Sequence, residues 1–300
     1  MLAKKPYEPL PVRPPADSSF INKKIFDIPY ASQSESQKLD LYYPNEGEGP
    51  FPTIVYFHGG GFFMRDKLDD QCQAFLYLTR CGFAVASCNY RLTVEAPFPA
   101  CVYDTKAATR FLRANAEKYH LDPTRFAAAG QSAGGYLSAM LAATGGRPIL
   151  EDYLQGNPDT SSAVQACIDW FGCTDFAVAQ EQLAANGLQS FQFNNTDESV
   201  EVKFFGIRGR EIPASYMAVA NPINYVTGQM PPTLAQHGLI DHLVAWQQSK
   251  LLVDRIQEVC GENRARLDIV DEADHDDPLF NTDENVEVMR QFLVKALNLA

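Results

Sequence analysis

From residue 52 onward the chain alternates two kinds of apolar pattern. Short runs at 52–57, 83–88, 125–129, 164–170, 233–236 and 266–270 read as strands, and 52–57, dense in β-branched and aromatic residues, has the composition of a strand buried on both faces. Between them lie longer segments with apolar positions at helical spacing: 68–80, 99–119, 133–143, and 243–260, which carries Trp246, Leu252, Ile256 and Val259 on one stripe. A last helix presents Val286, Met289, Phe292, Leu293 and Ala296. Repeated strand-helix-strand units predict an α/β fold, a mostly parallel sheet with helices on both faces. Such sheets carry their active sites at the carboxyl ends of the strands. Ahead of these units, 24–30 and 37–43 flank a polar turn at 31–35, and Leu39, Leu41 and Tyr43 alternate as in a hairpin strand.

Two stretches break the rhythm. Residues 1–20 are Pro-rich and read as an N-terminal arm over the surface. Residues 175–221 are rich in Gln and Asn, with Phe176, Phe191, Phe193, Phe204, Phe205 and Tyr216 scattered through them. They leave the sheet after one strand and return before the next, so we read them as a lid insertion over the active-site edge. That many aromatics argue against a disordered excursion. No composition break or long linker divides residues 1–300, which we read as one domain.

A net charge of −12, with no Lys/Arg cluster, excludes nucleic acid as a partner and disfavours polyanionic substrates. Residues 1–15 contain no apolar h-region, and no apolar run is long enough to cross a bilayer, so we expect a cytoplasmic protein without a membrane partner. Seven cysteines with no C-x-x-C pair fit buried thiols in a reducing compartment rather than a disulfide or zinc framework. Neither a cofactor nor a metal is expected, and the oligomeric state is not fixed.

The candidate chemistry centres on Gly130-Gln131-Ser132-Ala133-Gly134-Gly135, a G-x-S-x-G turn between the 125–129 strand and the 133–143 helix. In such an elbow the serine is held in a strained conformation that projects its hydroxyl outward. His58-Gly59-Gly60-Gly61-Phe62 follows the 52–57 strand, and a glycine run lets backbone N–H groups turn toward a ligand. We assign Gly60, Gly61 and Ala133 to an oxyanion hole. Of the five histidines, His275 follows the last strand in a loop, where the sheet would present a base. His58 reads as a brace for the glycine turn, and His120, His237 and His242 have structural explanations. Asp241, just past the 233–236 strand, is the candidate acid, with Asp169, Asp175, Asp271 and Glu272 as rivals. The order Ser132, Asp241, His275 is the one this fold uses. Arg91 and Glu95 are expected to pair and brace the glycine loop. Trp170 and Phe171, at a strand end, and Phe62 are candidates for the substrate pocket.

With Tyr90-Arg91-Leu92, Glu95 and Phe98-Pro99-Ala100, these motifs resemble the hormone-sensitive-lipase-like branch of α/β-hydrolases. Residues 34–42, Asp169-Trp170-Phe171-Gly172, Asn221-Pro222-Ile223-Asn224-Tyr225, Gln236-His237-Gly238, Gln248-Ser249 and His275 with Asp277-Pro278-Leu279-Phe280 narrow the likeness to the bifunctional acetylxylan and feruloyl esterase type. The resemblance runs from about residue 25 to the C-terminus. It implies a two-step serine esterase acting on short-chain esters, acetylated xylo-oligosaccharides or similar carbohydrate esters foremost, and feruloyl esters as a further class. Amide hydrolysis of the arylformamidase or peptidase kind, or binding without catalysis, are the alternative readings of the scaffold. Where a glycine often flanks the histidine in that family, Asp274 and Asp276 stand here, and nearby carboxylates favour a charged imidazole.

Overall fold

The apolar runs build β1 (Lys24–Pro29), β2 (Lys38–Tyr42), β3 (Phe51–Phe57), β4 (Ala84–Cys88), β5 (Leu121–Gln131), β6 (Ala166–Trp170), β7 (Thr233–Gly238) and β8 (Ala265–Val270). In the computed structural model of the protein, which describes residues 13–188, 196–209 and 211–299, they form one eight-stranded sheet. Its order is β1-β2-β4-β3-β5-β6-β7-β8, as in an α/β-hydrolase. β1 and β2 pair antiparallel, β2 pairs antiparallel with β4, and the rest of the sheet is parallel.

Strand alternation sorts the buried side chains into two cores. Val55, Phe57, Ala86, Ala128 and Cys167 face one side, packed with residues of α2 (Ala100–Ala114), α3 (Ala133–Thr144) and α7 (Gln247–Cys260). Ile54, Tyr56, Ala127, Ala129, Ile168 and Trp170 face the other, under α1 (Gln73–Tyr77) and α8 (Asp283–Ala296). Trp170 thus belongs to the core rather than to a pocket wall. It is 1% exposed, its ring packs against Phe75 and Phe280, and its Nε1 donates to Gln236 Oε1 at 2.5 Å.

Element boundaries differ from the sequence expectation where side chains intervene. The 68–80 segment is a single turn of α-helix flanked by 3₁₀ turns at Asp70–Cys72 and Leu78–Cys81; consecutive burial of Ala74, Phe75 and Leu76 leaves no polar face to extend. The helix expected from residue 99 to 119 stops at Ala114, where the Asn115 side chain takes up the Phe111 carbonyl at 2.9 Å. α7 starts at Gln247 rather than at residue 243, because the amides of Leu243 and Val244 point to the Asp241 carboxylate instead of into a helix.

Between β6 and β7 the described residues form three short α-helices, α4 (Ala179–Ala185), α5 (Val200–Phe205) and α6 (Ala214–Ala220), and a 3₁₀ turn at Pro222–Tyr225. Phe204 stacks on Phe176 and also meets Phe62 and Phe98. Phe191 and Phe193 lie outside the described residues. The base of this segment is tied down by Gln248 Oε1, which accepts the amides of Thr174 and Asp175 at 2.7 Å each, and by Asn221, which bonds Phe176 and Asp175. At the other end of the chain, residues 14–16 run along 68–70 through backbone hydrogen bonds and a bridge between Pro15 and Asp69. Among the described residues no helix is long and apolar enough to cross a membrane.

Candidate active site

β5 ends at Gln131, α3 begins at Ala133, and Ser132 between them has φ +54° and ψ −119°. L-residues rarely occupy this region, and the surrounding structure has to hold it there. Ser132 N–H donates to the Trp170 carbonyl on β6 at 2.8 Å, and the Ser132 carbonyl accepts from Tyr136 N–H at 3.0 Å. The turn closes only because Gly134 has no side chain. A Cβ there would stand 1.9 Å from the Phe57 carbonyl oxygen and 2.8 Å from that of His58. That close approach sets the end of β3 and the glycine loop directly against the elbow.

In the glycine loop, Gly60 has φ +103° and Gly61 φ +57°, so successive peptide planes turn over. His58 anchors the loop from below. Its ring is stacked on Tyr90 at 4.5 Å, its Nδ1–H donates to the Gly59 carbonyl at 2.8 Å, and Tyr90 Oη donates to the His58 carbonyl at 2.9 Å. Burial lowers the imidazole to about 4, so His58 is a neutral brace. Gly59 N–H is held by Gln71 Oε1 at 3.1 Å. Ala133 contributes a first-turn amide of α3, one of the N–H groups a helix leaves without an internal acceptor.

His275 brings its Nε2 to 2.9 Å from Ser132 Oγ and donates from Nδ1 to Asp241 Oδ2 at 2.7 Å. The Asp241 carboxylate is 1% exposed, and its Oδ1 accepts the Leu243 and Val244 amides at 2.8 Å each. Burial alone would raise its pKa. The His275 charge and hydrogen bonds from His237 and His275 outweigh burial and hold it far below the usual carboxylate range. Burial likewise opposes protonation of His275, but the Asp241 carboxylate, then Asp276 and Asp274, prevail and raise the imidazole above its ordinary 6.5.

The structure brings Ser132, His275 and Asp241 together and leaves the rival acids elsewhere. Asp169 is fully buried and accepts the Gly172 amide, Asp175 bonds Asn221, and Asp271 and Glu272 are exposed. Phe171 packs edge-on against His275 at 4.7 Å, with φ +42°. Phe62 is buried between Tyr136 and Phe204, so it joins the glycine loop to the 175–221 segment. The expected Arg91–Glu95 pair is replaced: Arg91 binds the buried Asp104 of α2, with Nη2 at 2.7 Å from Oδ1, while Glu95 accepts from Ser36. Arg91 lies in a loop, where the spacing that pairs side chains on a helix does not apply.

His237 is a further member of the site. Its Nε2–H donates to the Val244 carbonyl at 2.9 Å and lies 3.3 Å from Asp241 Oδ2, and its Nδ1 accepts from Ser249 Oγ at 2.7 Å. This buried imidazole fixes both the Asp241 carboxylate and the turn that carries it. The spacing His237-Gly-x-x-Asp241 was its signal in the sequence.

The BD-FAE family model matches residues 39–256. The "Probable carboxylic ester hydrolase LipM" of Mycobacterium tuberculosis is 26% identical over 235 residues, covering 78% of this chain and 52% of that protein. The chain thus spans about half the length of this relative. A solved "truncated form of carbohydrate esterase from gut microbiota" superimposes with a TM-score of 0.82 and 28% identity, over 95% of this chain and 100% of that one. The bifunctional GH43-CE of Bacteroides eggerthii does so with a TM-score of 0.79 and 29% identity, over 91% of this chain and 35% of that one.

Proposed function

This chain belongs to the BD-FAE family, and we propose that it is a serine carboxylic-ester hydrolase of short acyl esters, acetylated xylo-oligosaccharides and similar carbohydrate esters first among them. The observation that carries the proposal is the unbroken line from Ser132 Oγ through His275 to Asp241, with bonds of 2.9 and 2.7 Å.

In the first half-reaction His275 Nε2 takes the Ser132 proton as Oγ attacks the ester carbonyl. The oxygen that becomes negative is held by the N–H groups of Gly60, Gly61 and Ala133. The tetrahedral adduct collapses, the C–O bond to the alcohol breaks, and His275 returns the proton to the leaving oxygen. In the second half His275 deprotonates a water that attacks the acyl-enzyme, and the same proton then goes back to Ser132 Oγ as the acid departs. Asp241 keeps the imidazole in the tautomer with its proton on Nδ1 and stabilises the cation formed in each half.

The substrate class is supported by the carbohydrate-esterase neighbours. The net charge of −12 suits a neutral ester. A p-nitrophenyl ester series, run beside acetylated xylo-oligosaccharides, feruloyl esters and an arylformamide, tests this. We expect kcat/KM to fall by roughly tenfold or more between acetate and octanoate, and acetyl to be released from the oligosaccharides. Preference for the arylformamide would replace the esterase reading with an amidase one.

The pH profile is a second expected outcome. His275 must be neutral to accept the serine proton, and its pKa is raised, so kcat/KM should climb with pH through a midpoint above 6.5. A midpoint at or below that value would mean that the three carboxylates do not outweigh burial.

A further inference from the structure

Asp276 immediately follows His275 and has φ +59°, a left-handed state uncommon outside glycine but more open to Asp than to most residues. What it gains there is a set of contacts drawn from three distant parts of the chain. Asp276 Oδ1 accepts from Gln131 Nε2 at 2.9 Å, and Oδ2 accepts from Gln71 Nε2 at 3.1 Å and from Arg13 Nη1. Each partner reaches another part of the site. Gln131 is the residue before Ser132, and Gln71 holds the Gly59 amide at the head of the glycine loop. Arg13 also binds Asp70 through Nε at 2.7 Å. One carboxylate therefore joins the base loop, the nucleophile's strand and the glycine loop from behind.

We propose that Arg13 is a positioning residue for the Ser132 and His275 pair, acting from the N-terminal segment through the Asp276 carboxylate. The proposal rests on the reading of Ser132 as nucleophile and His275 as base. Two neutral amides orient Asp276 but leave its negative charge intact, and Arg13 supplies the opposing charge. Without it, that charge acts on the adjacent imidazole and Asp276 is free to leave the glutamines.

The electrostatics give the proposal a signature that simple bracing lacks. His275 is faced by Asp241 from the loop after β7, and by Asp274 and Asp276 from its own loop. Asp274 is itself bonded to His242 Nδ1 at 2.6 Å. Asp276 is faced by Arg13 and by the buried Tyr56 phenol, and Arg13 in turn by Asp70. Removing the Asp276 charge should make His275 easier to deprotonate, and removing the Arg13 charge should make it harder.

The readout is the second-order rate at which a fluorophosphonate labels Ser132, followed against pH, which needs no knowledge of the natural ester. We expect Asp276→Asn to move the acid midpoint down by about half a pH unit and Arg13→Ala to move it up by a similar amount. Arg13→Lys should restore the wild-type midpoint, and Arg13→Ala should move it less in an Asp276→Asn background than in the wild type. The segment around Arg13 is docked through the backbones of Pro14, Pro15 and Ala16. Arg13→Lys and Asp276→Asn therefore keep the comparison available if Arg13→Ala does not fold. Midpoints that stay fixed, or that move in the same direction in Arg13→Ala and Asp276→Asn, would overturn the proposal while leaving the esterase reading in place. A wild-type protein unlabelled at Ser132 would overturn both at their common premise.

Discussion

Ser132→Ala is expected to lower kcat/KM on p-nitrophenyl acetate by about 10⁴- to 10⁶-fold, and His275→Ala by a similar factor, with the double variant little worse than either. The loss corresponds to about 5–8 kcal/mol of transition-state stabilisation. In the proposed mechanism the two residues act as one device: Oγ is a weak nucleophile unless Nε2, 2.9 Å away, removes its proton as it attacks. Alanine at 132 keeps the backbone at φ +54° with a smaller side chain, so thermal melting of Ser132→Ala should stay close to wild type. Loss of activity with an unchanged melting curve assigns the effect to chemistry. Activity within tenfold of wild type would place the nucleophile elsewhere.

What could be read in the sequence was local. The strand before Ser132, the small residues around it and the helix after it are contiguous, so the elbow's position follows from spacing alone. Asp241 and His275 each follow a strand of the parallel sheet, and the topology carries such residues to one edge. Contacts made across the fold left weaker traces. Arg91 finds Asp104 on α2 rather than nearby Glu95, because a loop has no helical register to pair them. Strand alternation decides the fate of Trp170: it shares a sheet face with Ala166 and Ile168 under α1 and α8, whereas Phe171, one residue on and at positive φ, meets His275. The Arg13–Asp276 contact links positions 263 residues apart and is carried by no motif.

Asp241→Asn is expected to cost about 10⁴-fold in kcat at neutral pH, although the substitution changes a single atom. Asp241 has no spare acceptor. Oδ1 takes the Leu243 and Val244 amides, while Oδ2 takes His275 Nδ1–H and faces His237 Nε2. If the new amide group faces His275, it forces the imidazole proton onto Nε2, where it points at Ser132 and the ring can no longer act as base. If it turns the other way, an N–H₂ group meets two backbone N–H donors and the turn opens. The charge is lost in both cases, so the acid limb of the residual activity should shift to lower pH. Stability follows the same linkage. Because the folded-state pKa of Asp241 is lowered, its contribution is present above the ordinary carboxylate pKa and disappears as pH falls through the folded value. The difference in Tm between wild type and Asp241→Asn should therefore be full near pH 7 and shrink below about pH 4. A Tm difference that instead grew as pH fell would show that Asp241 is protonated in the native protein and cannot hold His275 as an anion.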